Sequence, residues 1–300
     1  MNFPQVLLLG NGINRGYGGI SWDKLLSEIA VRADYDIPNM TSPYPMRAIL
    51  LTENHINEAV TNKKQLFYGI IGSEQHSEIL KSLLSVGFDD ILTTNYSYEL
   101  EEAGLSKETL TDTEVTKLMR HTSDRAETHY LLHTYNHIEF EGIANRIWHI
   151  HGEVRKPDSM ILGHYWYGNL LRRIQDKLDQ QGNYYARVQK NGQNIDRKSW
   201  VDSFILGDVY VLGFSYGLSE IDLWWLLTRK NRENAHHGKL YYYGIQNEKD
   251  REKTALLELM GAEVINLGFT SDVKTTPDYK TFYQDAFDDI QKRMAKAKQQ

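Results

Sequence analysis

The chain has 300 residues and contains no cysteine. This absence excludes a disulfide framework, a zinc site built on thiolates and a cysteine nucleophile. Proline is also scarce, with 6 residues, and three of them (Pro38, Pro43 and Pro45) fall within residues 35–46. Because proline lacks a backbone N–H and disrupts helices, that segment is predicted to be a loop.

An excess of positive charge is missing as well. The sequence has 34 Lys and Arg against 40 Asp and Glu, which gives a net charge of -6. Because proteins that bind nucleic acid present a concentrated basic surface, we expect no direct contact with nucleic acid. No apolar run approaches the length of a membrane span, so we expect a soluble cytoplasmic protein without membrane contact. With 41% hydrophobic residues, the chain can nevertheless bury a large core.

Short apolar runs alternate with helical patterns along the whole chain. The runs that resemble buried strands lie at 5–9, 89–94, 147–151, 209–212, 239–243 and 264–267. This alternation predicts an α/β fold, a Rossmann-like parallel sheet with helices on both faces. We expect a single domain over residues 1–300 with helical insertions around 97–146 and 164–206.

Two of these runs end in glycine-rich junctions. The first is Gly10-Asn11-Gly12 and the second is Gly213-Phe214-Ser215. Glycines let backbone N–H groups approach a phosphate, and the helix predicted from about Ser21 would direct its positive end to the same place. A tight turn uses the same residues, so phosphate binding and simple packing both remain open at this point.

A third junction carries polar side chains. The run at 89–94 ends in Thr94 and Asn95, with Ser97 close behind. Ligands of open α/β sheets bind at the carboxyl ends of the strands, so Asn95 is a candidate for contact with a ligand. The alternative is that Thr94 or Asn95 only caps the following helix.

Two histidines follow one another in the stretch 147–152, Ile-Trp-His-Ile-His-Gly. Read as a strand that ends in a glycine turn, it places Ile147, His149 and His151 on one face. His151 is nearest the edge of the sheet, and a neutral imidazole can move a proton near pH 7, so His151 is the candidate base. His149 lies deeper and is predicted to be a supporting core histidine.

Two further patterns have structural interpretations. His129 and His133 have the spacing of metal ligands on a helix, but no third ligand stands out. We therefore expect solvated histidines and no metal. Ser219 and Asp222 have the spacing of a capping box, so Asp222 is predicted to be structural rather than catalytic.

Taken in order, four motifs resemble the sirtuin family, and specifically the zinc-less bacterial sirtuin-like proteins that cleave NAD in anti-phage defence. The motifs are Gly10-x-Gly12, Thr93-Thr94-Asn95-Tyr96, His151-Gly152 and Gly213-Phe214-Ser215. The resemblance covers nearly the whole chain. It implies that Asn95 positions the ribose and a water molecule and that His151 is the general base. It further implies that NAD contacts Gly10, Asn11, Gly12, Thr94, Ser97, Gly213, Phe214 and Ser215.

The chain departs from the sirtuin pattern in two ways. Ser97 stands where the family commonly has an Asp that recognises the nicotinamide amide, and the four-cysteine zinc module of the protein deacylases is absent. The resemblance therefore predicts an NAD glycohydrolase, with NAD as its substrate. The alternatives are a non-catalytic subunit that binds NAD or ADP-ribose and, less favoured, an NAD-dependent deacylase. We expect control by self-assembly into a homo-oligomer or by a partner such as an ATPase.

Overall fold

The computed structural model of the chain describes residues 3–19, 21–32, 44–52, 74–124, 126–180, 196–232, 237–245, 247–270 and 278–298. The strands are β1 (Gln5–Leu9), β2 (Asp90–Thr93), β3 (Met119–His121), β4 (Thr134–Phe140), β5 (Ile143–His149), β6 (Asp208–Leu212), β7 (Leu240–Tyr243) and β8 (Glu263–Ile265). The α-helices are α1 (Gly12–Gly16), α2 (Trp22–Arg32), α3 (Tyr44–Thr52), α4 (Glu74–Leu84), α5 (Glu99–Gly104), α6 (Asp112–Leu118), α7 (His164–Gln180), α8 (Trp200–Leu206), α9 (Ile221–Arg232), α10 (Arg251–Leu259) and α11 (Tyr279–Ala297).

All eight strands of the described residues form one sheet in the order β3-β4-β5-β2-β1-β6-β7-β8. Neighbouring strands in the run β5-β2-β1-β6-β7-β8 pair in parallel. The strands β4 and β3 extend the sheet beyond β5 with antiparallel pairing. Counted alone, the parallel strands have the doubly wound order 3-2-1-4-5-6, with the topological switch point between β1 and β6. The prediction of a Rossmann-like α/β fold is confirmed.

The central strands are buried on both sides. Every residue of β1 and β6 is buried, as expected for parallel strands covered by helices on both faces. One face packs on α7, α8 and α9 through side chains such as Trp148, Trp200 and Leu223. The other packs on α4, α5 and α11 through side chains such as Ile91 and Ile290. Each large apolar side chain buried in this way stabilises the fold by about 1.5–3 kcal/mol.

The first of the two predicted insertions, at 97–146, is not wholly helical. It holds α5 and α6, but it also holds β3 and β4, which pair with each other and with β5. Buried and more exposed residues alternate along β4, because one face of this outer hairpin contacts the core and the other approaches solvent. The polar composition of the segment therefore concealed its strands. The second insertion, at 164–206, holds α7 and α8.

Helix starts follow local chemistry. Ser21 caps α2 as predicted, since its Oγ accepts a hydrogen bond from the backbone N–H of Lys24 at 3.2 Å. The predicted proline-rich loop lies outside the described residues as far as residue 43, and α3 already begins at Tyr44. Pro45 occupies the first turn of α3, where a missing N–H is tolerated. None of the described helices is both long and apolar enough to cross a membrane.

Candidate functional site

A pocket opens at the carboxyl ends of β1 and β2. It contains about 360 Å³ of empty space, part of it open to solvent. Its wall consists of Asn11, Ser21, Trp22, Leu25, Thr94, Asn95, Tyr96 and Ser97. Asn11, Thr94, Asn95 and Ser97 were predicted from the sequence, and the other four were missed. The position of Ser21 and Trp22, at the start of the helix after the glycine loop, is the signal that could have found them.

Asn95 is held in place by a carboxylate on the following helix. Its Nδ2 donates a hydrogen bond to Glu99 Oε1 at 2.6 Å, and Asn14 Nδ2 donates to the same oxygen at 2.9 Å. The N-cap residue of α5 is Tyr98, so the alternative in which Thr94 or Asn95 caps this helix is wrong. Asn95 is therefore an amide of the pocket wall with a defined orientation.

His149 lies at the end of β5 and contacts the main chain of Asn95. One ring nitrogen, Nδ1, is 2.9 Å from the main-chain oxygen of Asn95, and the other, Nε2, is 3.0 Å from Glu101 Oε1. Burial opposes protonation of the imidazole, but the charge and hydrogen bond of Glu101 outweigh it and raise the pKa of His149 to about 9. At neutral pH, His149 is a buried imidazolium that donates to the carbonyl of Asn95, so the prediction of a supporting histidine is confirmed.

This buried pair makes a prediction for stability. The pKa of His149 is about 9 in the folded chain against an ordinary value of 6.5, so protonation favours the folded state. The contribution is complete below pH 6.5 and is lost as the pH rises through 9, by roughly 1.4 kcal/mol for each step of one in pH. We expect the free energy of unfolding, measured with urea, to fall over this range, and to fall less in His149→Gln. An equal pH dependence of the two proteins would contradict the pairing.

His151 points to the other face of the sheet. Its Nε2 is 3.0 Å from Asp222 Oδ2, and its ring packs edge-on against Tyr167 with centroids 5.3 Å apart. Both partners belong to helices that cover the face opposite to Glu101. The predicted common face of His149 and His151 is wrong, because β5 ends at His149 and side chains alternate only while the strand continues.

Asp222 makes His151 more basic. The carboxylate is fully buried at the start of α9, and its Oδ1 has no hydrogen-bond partner among the described residues. Burial opposes protonation of His151, but the charge and hydrogen bond of Asp222 outweigh it and raise the pKa of His151 above its usual value. Because α9 begins at Ile221 and Asp222 contacts His151, the predicted capping box with Ser219 is not formed.

A second acidic residue, Glu220, completes this cluster. Ligand atoms of His151, Glu220 and Asp222 lie within 4.8 Å of one another, a spacing that could accommodate a cation. Hydrogen bonds already occupy part of the set, since Tyr167 donates its hydroxyl to Glu220 Oε2 at 2.8 Å. Burial and the neighbouring Asp222 raise the pKa of Glu220. The raised pKa therefore favours a proton bound within this cluster.

The other histidine pair considered from the sequence is not on a helix. Residues 126–133 form bends and turns, and His133 Nδ1 is 2.7 Å from the main-chain oxygen of Lys198. The ring of His129 stacks on Trp166 at a centroid distance of 6.5 Å. In this described segment, His129 and His133 therefore do not lie one turn apart on a helix, which is the spacing that a metal site at these residues would need.

The two glycine junctions pack tightly against each other. Gly10 N–H donates to the oxygen of Leu212 at 3.0 Å, and Gly12 N–H donates to the oxygen of Gly213 at 2.6 Å. A Cβ atom would lie 2.6 Å from Phe214 Cα if added to Gly10, and 2.5 Å from the Gly213 oxygen if added to Gly12. The packing alternative therefore accounts for both glycines. Their N–H groups are committed to protein acceptors, and a phosphate at this place would need other donors.

The remaining predicted residues are not part of the pocket wall. Phe214 is buried and Ser215 is exposed, and neither belongs to the pocket wall. His151 is linked to the wall through Tyr96, whose hydroxyl donates to the oxygen of Ile161 at 2.6 Å. Ile161 N–H in turn donates to the oxygen of His151 at 2.7 Å. In the described part of the chain, no hydrogen bond joins His151 directly to the Asn95 side chain.

Comparison with known protein families gives a match over most of the chain. Residues 26–243 match the sequence model of the family described as bacteriophage abortive infection AbiH. The match spans more than two thirds of the 300 residues and includes Asn95, His151 and Asp222, but it begins after the first glycine junction. No curated protein matches the chain.

Proposed function

Because the chain belongs to the AbiH family of bacteriophage abortive infection proteins, we propose that it acts in anti-phage defence by hydrolysing NAD to nicotinamide and ADP-ribose. The observation that carries the proposal is the pocket shared by Asn11, Thr94, Asn95 and Ser97. It lies at the sheet edge where Rossmann-like folds bind nucleotides. The family supports the role in defence, and the resemblance of the motifs to zinc-less sirtuin-like proteins supports NAD as the substrate.

The proposed reaction breaks the bond between the ribose C1′ atom and the nicotinamide nitrogen. The electron pair of that bond goes to the nitrogen and positive charge develops on the ribose, after which a water oxygen bonds to C1′. We propose that the proton of the water passes to His151 Nδ1, which requires the water to reach past the pocket wall, and that Asp222, which holds Nε2, stabilises the resulting imidazolium. Proton transfer of this kind contributes about 10²–10⁴-fold to the rate. Asn95 holds the water or a ribose hydroxyl beside C1′.

The pocket wall suits the nicotinamide ring. The ring of Tyr96 packs edge-on against Trp22 with centroids 5.7 Å apart, and the ring of Tyr44 stacks with Trp22 at 6.2 Å. These contacts fix the indole, which can then pack against a flat cationic ring. The hydroxyls of Thr94 and Ser97 can both donate to and accept from a carboxamide. Ser97 lacks the charge of the Asp common in sirtuins. We propose that Glu99, one hydrogen bond from Asn95, supplies the acidic charge instead.

The direct test is an incubation of the pure protein with NAD in the presence of a chelator, followed by chromatography. We expect nicotinamide and ADP-ribose to be released in equal amounts, and we propose that no metal is required. Dilute and concentrated samples, separated by size, would show whether self-assembly controls the rate. Absence of release from every assembled form, with Asn95→Ala binding NAD as the wild type does, would contradict the proposal.

The second candidate is a non-catalytic subunit that senses NAD or ADP-ribose, alone or together with a partner such as an ATPase. Its support is the low exposure of His151, 3%, which restricts access to the proposed base. Calorimetry that shows NAD bound, together with chromatography that shows it intact, would favour this candidate. A deacylase has less support, because a chain without cysteine cannot form the zinc module that frames an acyl-lysine groove.

A further inference from the structure

A chain of side-chain hydrogen bonds runs from α4 to the pocket wall. His76 Nε2 is 2.9 Å from Asn14 Oδ1, and Asn14 Nδ2 is 2.9 Å from Glu99 Oε1. Asn95 Nδ2 approaches the same carboxylate oxygen to 2.6 Å. The members come from α4, α1, α5 and the segment after β2, so the network connects four separate parts of the fold.

Chemistry leaves one orientation for each amide in this network. A carboxylate can only accept hydrogen bonds, so both Asn14 and Asn95 must turn Nδ2 and not Oδ1 towards Glu99. Asn14 Oδ1 then faces His76, whose Nε2 must carry the hydrogen. Amide orientation is usually ambiguous from atomic positions alone, but here the carboxylate removes the ambiguity.

Asn95 consequently directs an acceptor at the pocket. It belongs to the pocket wall, and among the described residues its Oδ1 has no hydrogen-bond partner. We infer that Glu99 is a positioning residue that fixes Asn95 as an acceptor, so that the pocket selects a ligand carrying a hydroxyl or water donor at this point. The identity of that donor, a ribose hydroxyl or the attacking water, rests on the proposed function.

Glu99 lies in the first turn of α5, where its negative charge also favours the helix. Tyr98 is the N-cap residue of α5, so Glu99 is not needed as the cap. Its second oxygen, Oε2, is buried and has no partner among the described residues. Because buried polar atoms normally have a partner, the unpaired oxygen calls for an explanation beyond packing, which favours a functional role for Glu99.

The inference is tested with Asn95→Asp, Glu99→Gln and the double variant. Asn95→Asp sets two carboxylates against each other, and Glu99→Gln lets the Asn95 amide take either orientation, so each single change should lower kcat about tenfold or more. In the double variant the new glutamine can donate to the new aspartate, which again presents an oxygen to the pocket. We expect its kcat to exceed that of Asn95→Asp by about tenfold.

A readout independent of NAD separates this inference from the proposed function. The side-chain amide resonances of Asn95, assigned by their loss in Asn95→Asp, should shift and exchange faster with water in Glu99→Gln. Glu108→Gln removes an exposed carboxylate that follows α5 in the chain and should change neither these resonances nor kcat. Resonances unchanged in Glu99→Gln would overturn the inference even if NAD is not the substrate. If the wild type cleaves NAD, a double variant no more active than Asn95→Asp would also overturn it.

Discussion

Replacement of His151 by glutamine is expected to lower the rate of NAD cleavage by about 10²–10⁴-fold with little change in NAD affinity. The amide nitrogen of glutamine can still donate to Asp222, whose Oδ2 lies 3.0 Å from His151 Nε2. The buried carboxylate therefore keeps a partner. Glutamine cannot accept a proton near pH 7, so the change removes the base and retains the contact. Nicotinamide release and calorimetry with NAD measure the two effects separately.

The choice of glutamine over alanine matters because Asp222 is fully buried. His151→Ala would leave that charge without its partner, a change that typically destabilises a protein by about 3–5 kcal/mol, so lost activity could reflect unfolding. His164→Ala, which removes an exposed histidine at the start of α7, serves as the control and should leave the rate unchanged. A wild-type kcat in His151→Gln would show that another group is the base.

The second large effect is expected at Gly152, the residue that follows His151. Gly152 has φ +88°, and a Cβ atom placed on it would lie 2.1 Å from the main-chain oxygen of Ser159. Gly152→Ala should lower the free energy of unfolding by about 2–5 kcal/mol, through the left-handed backbone and the displacement of the opposing chain. The hydrogen bond from Ile161 N–H to the oxygen of His151 lies beside this contact, so activity should fall as well.

Substitutions at two other glycines distinguish the backbone contribution to this loss from the steric one. Gly142 has φ +78°, and a Cβ atom placed on it would meet no atom within 4 Å, so Gly142→Ala should show the backbone effect alone, about 1–2 kcal/mol. Gly168 lies within α7 with nothing within 4 Å, and Gly168→Ala should stabilise the chain by up to about 1 kcal/mol. Urea unfolding of the three variants is the measurement. If Gly152→Ala loses no more than Gly142→Ala, the steric argument fails.

Local patterns were sufficient for much of the fold. The apolar runs that became β1, β2 and β6 were recognisable because strands buried on both faces need apolar residues at every position. β4 was not recognisable in the same way, since only one of its faces is buried and its sequence is largely polar. Patterns of this kind report burial, and they fail where an element is half exposed.

Parts of the site were predictable for a similar reason. Thr94, Asn95 and Ser97 come directly after a strand, and the carboxyl ends of parallel strands meet at one edge, so their place in the pocket followed from the order of the chain. The predicted role in anti-phage defence agrees with the family match, while the sirtuin-like NAD chemistry remains a prediction. His149 was correctly assigned to a supporting position, although its partner Glu101 was not foreseen.

The sequence by itself determined the α/β class, the strand ends that carry the polar residues and the absence of thiol chemistry. Tertiary structure alone decided the partners of those residues. Asp222 meets His151 across 71 positions of sequence, and Asn14 meets Glu99 across 85. Hydrogen bonds form only over about 3 Å, and such distances between remote segments are set only when the helices pack on the sheet. For that reason, the orientation of both histidines and of Asn95 could not be read from local patterns.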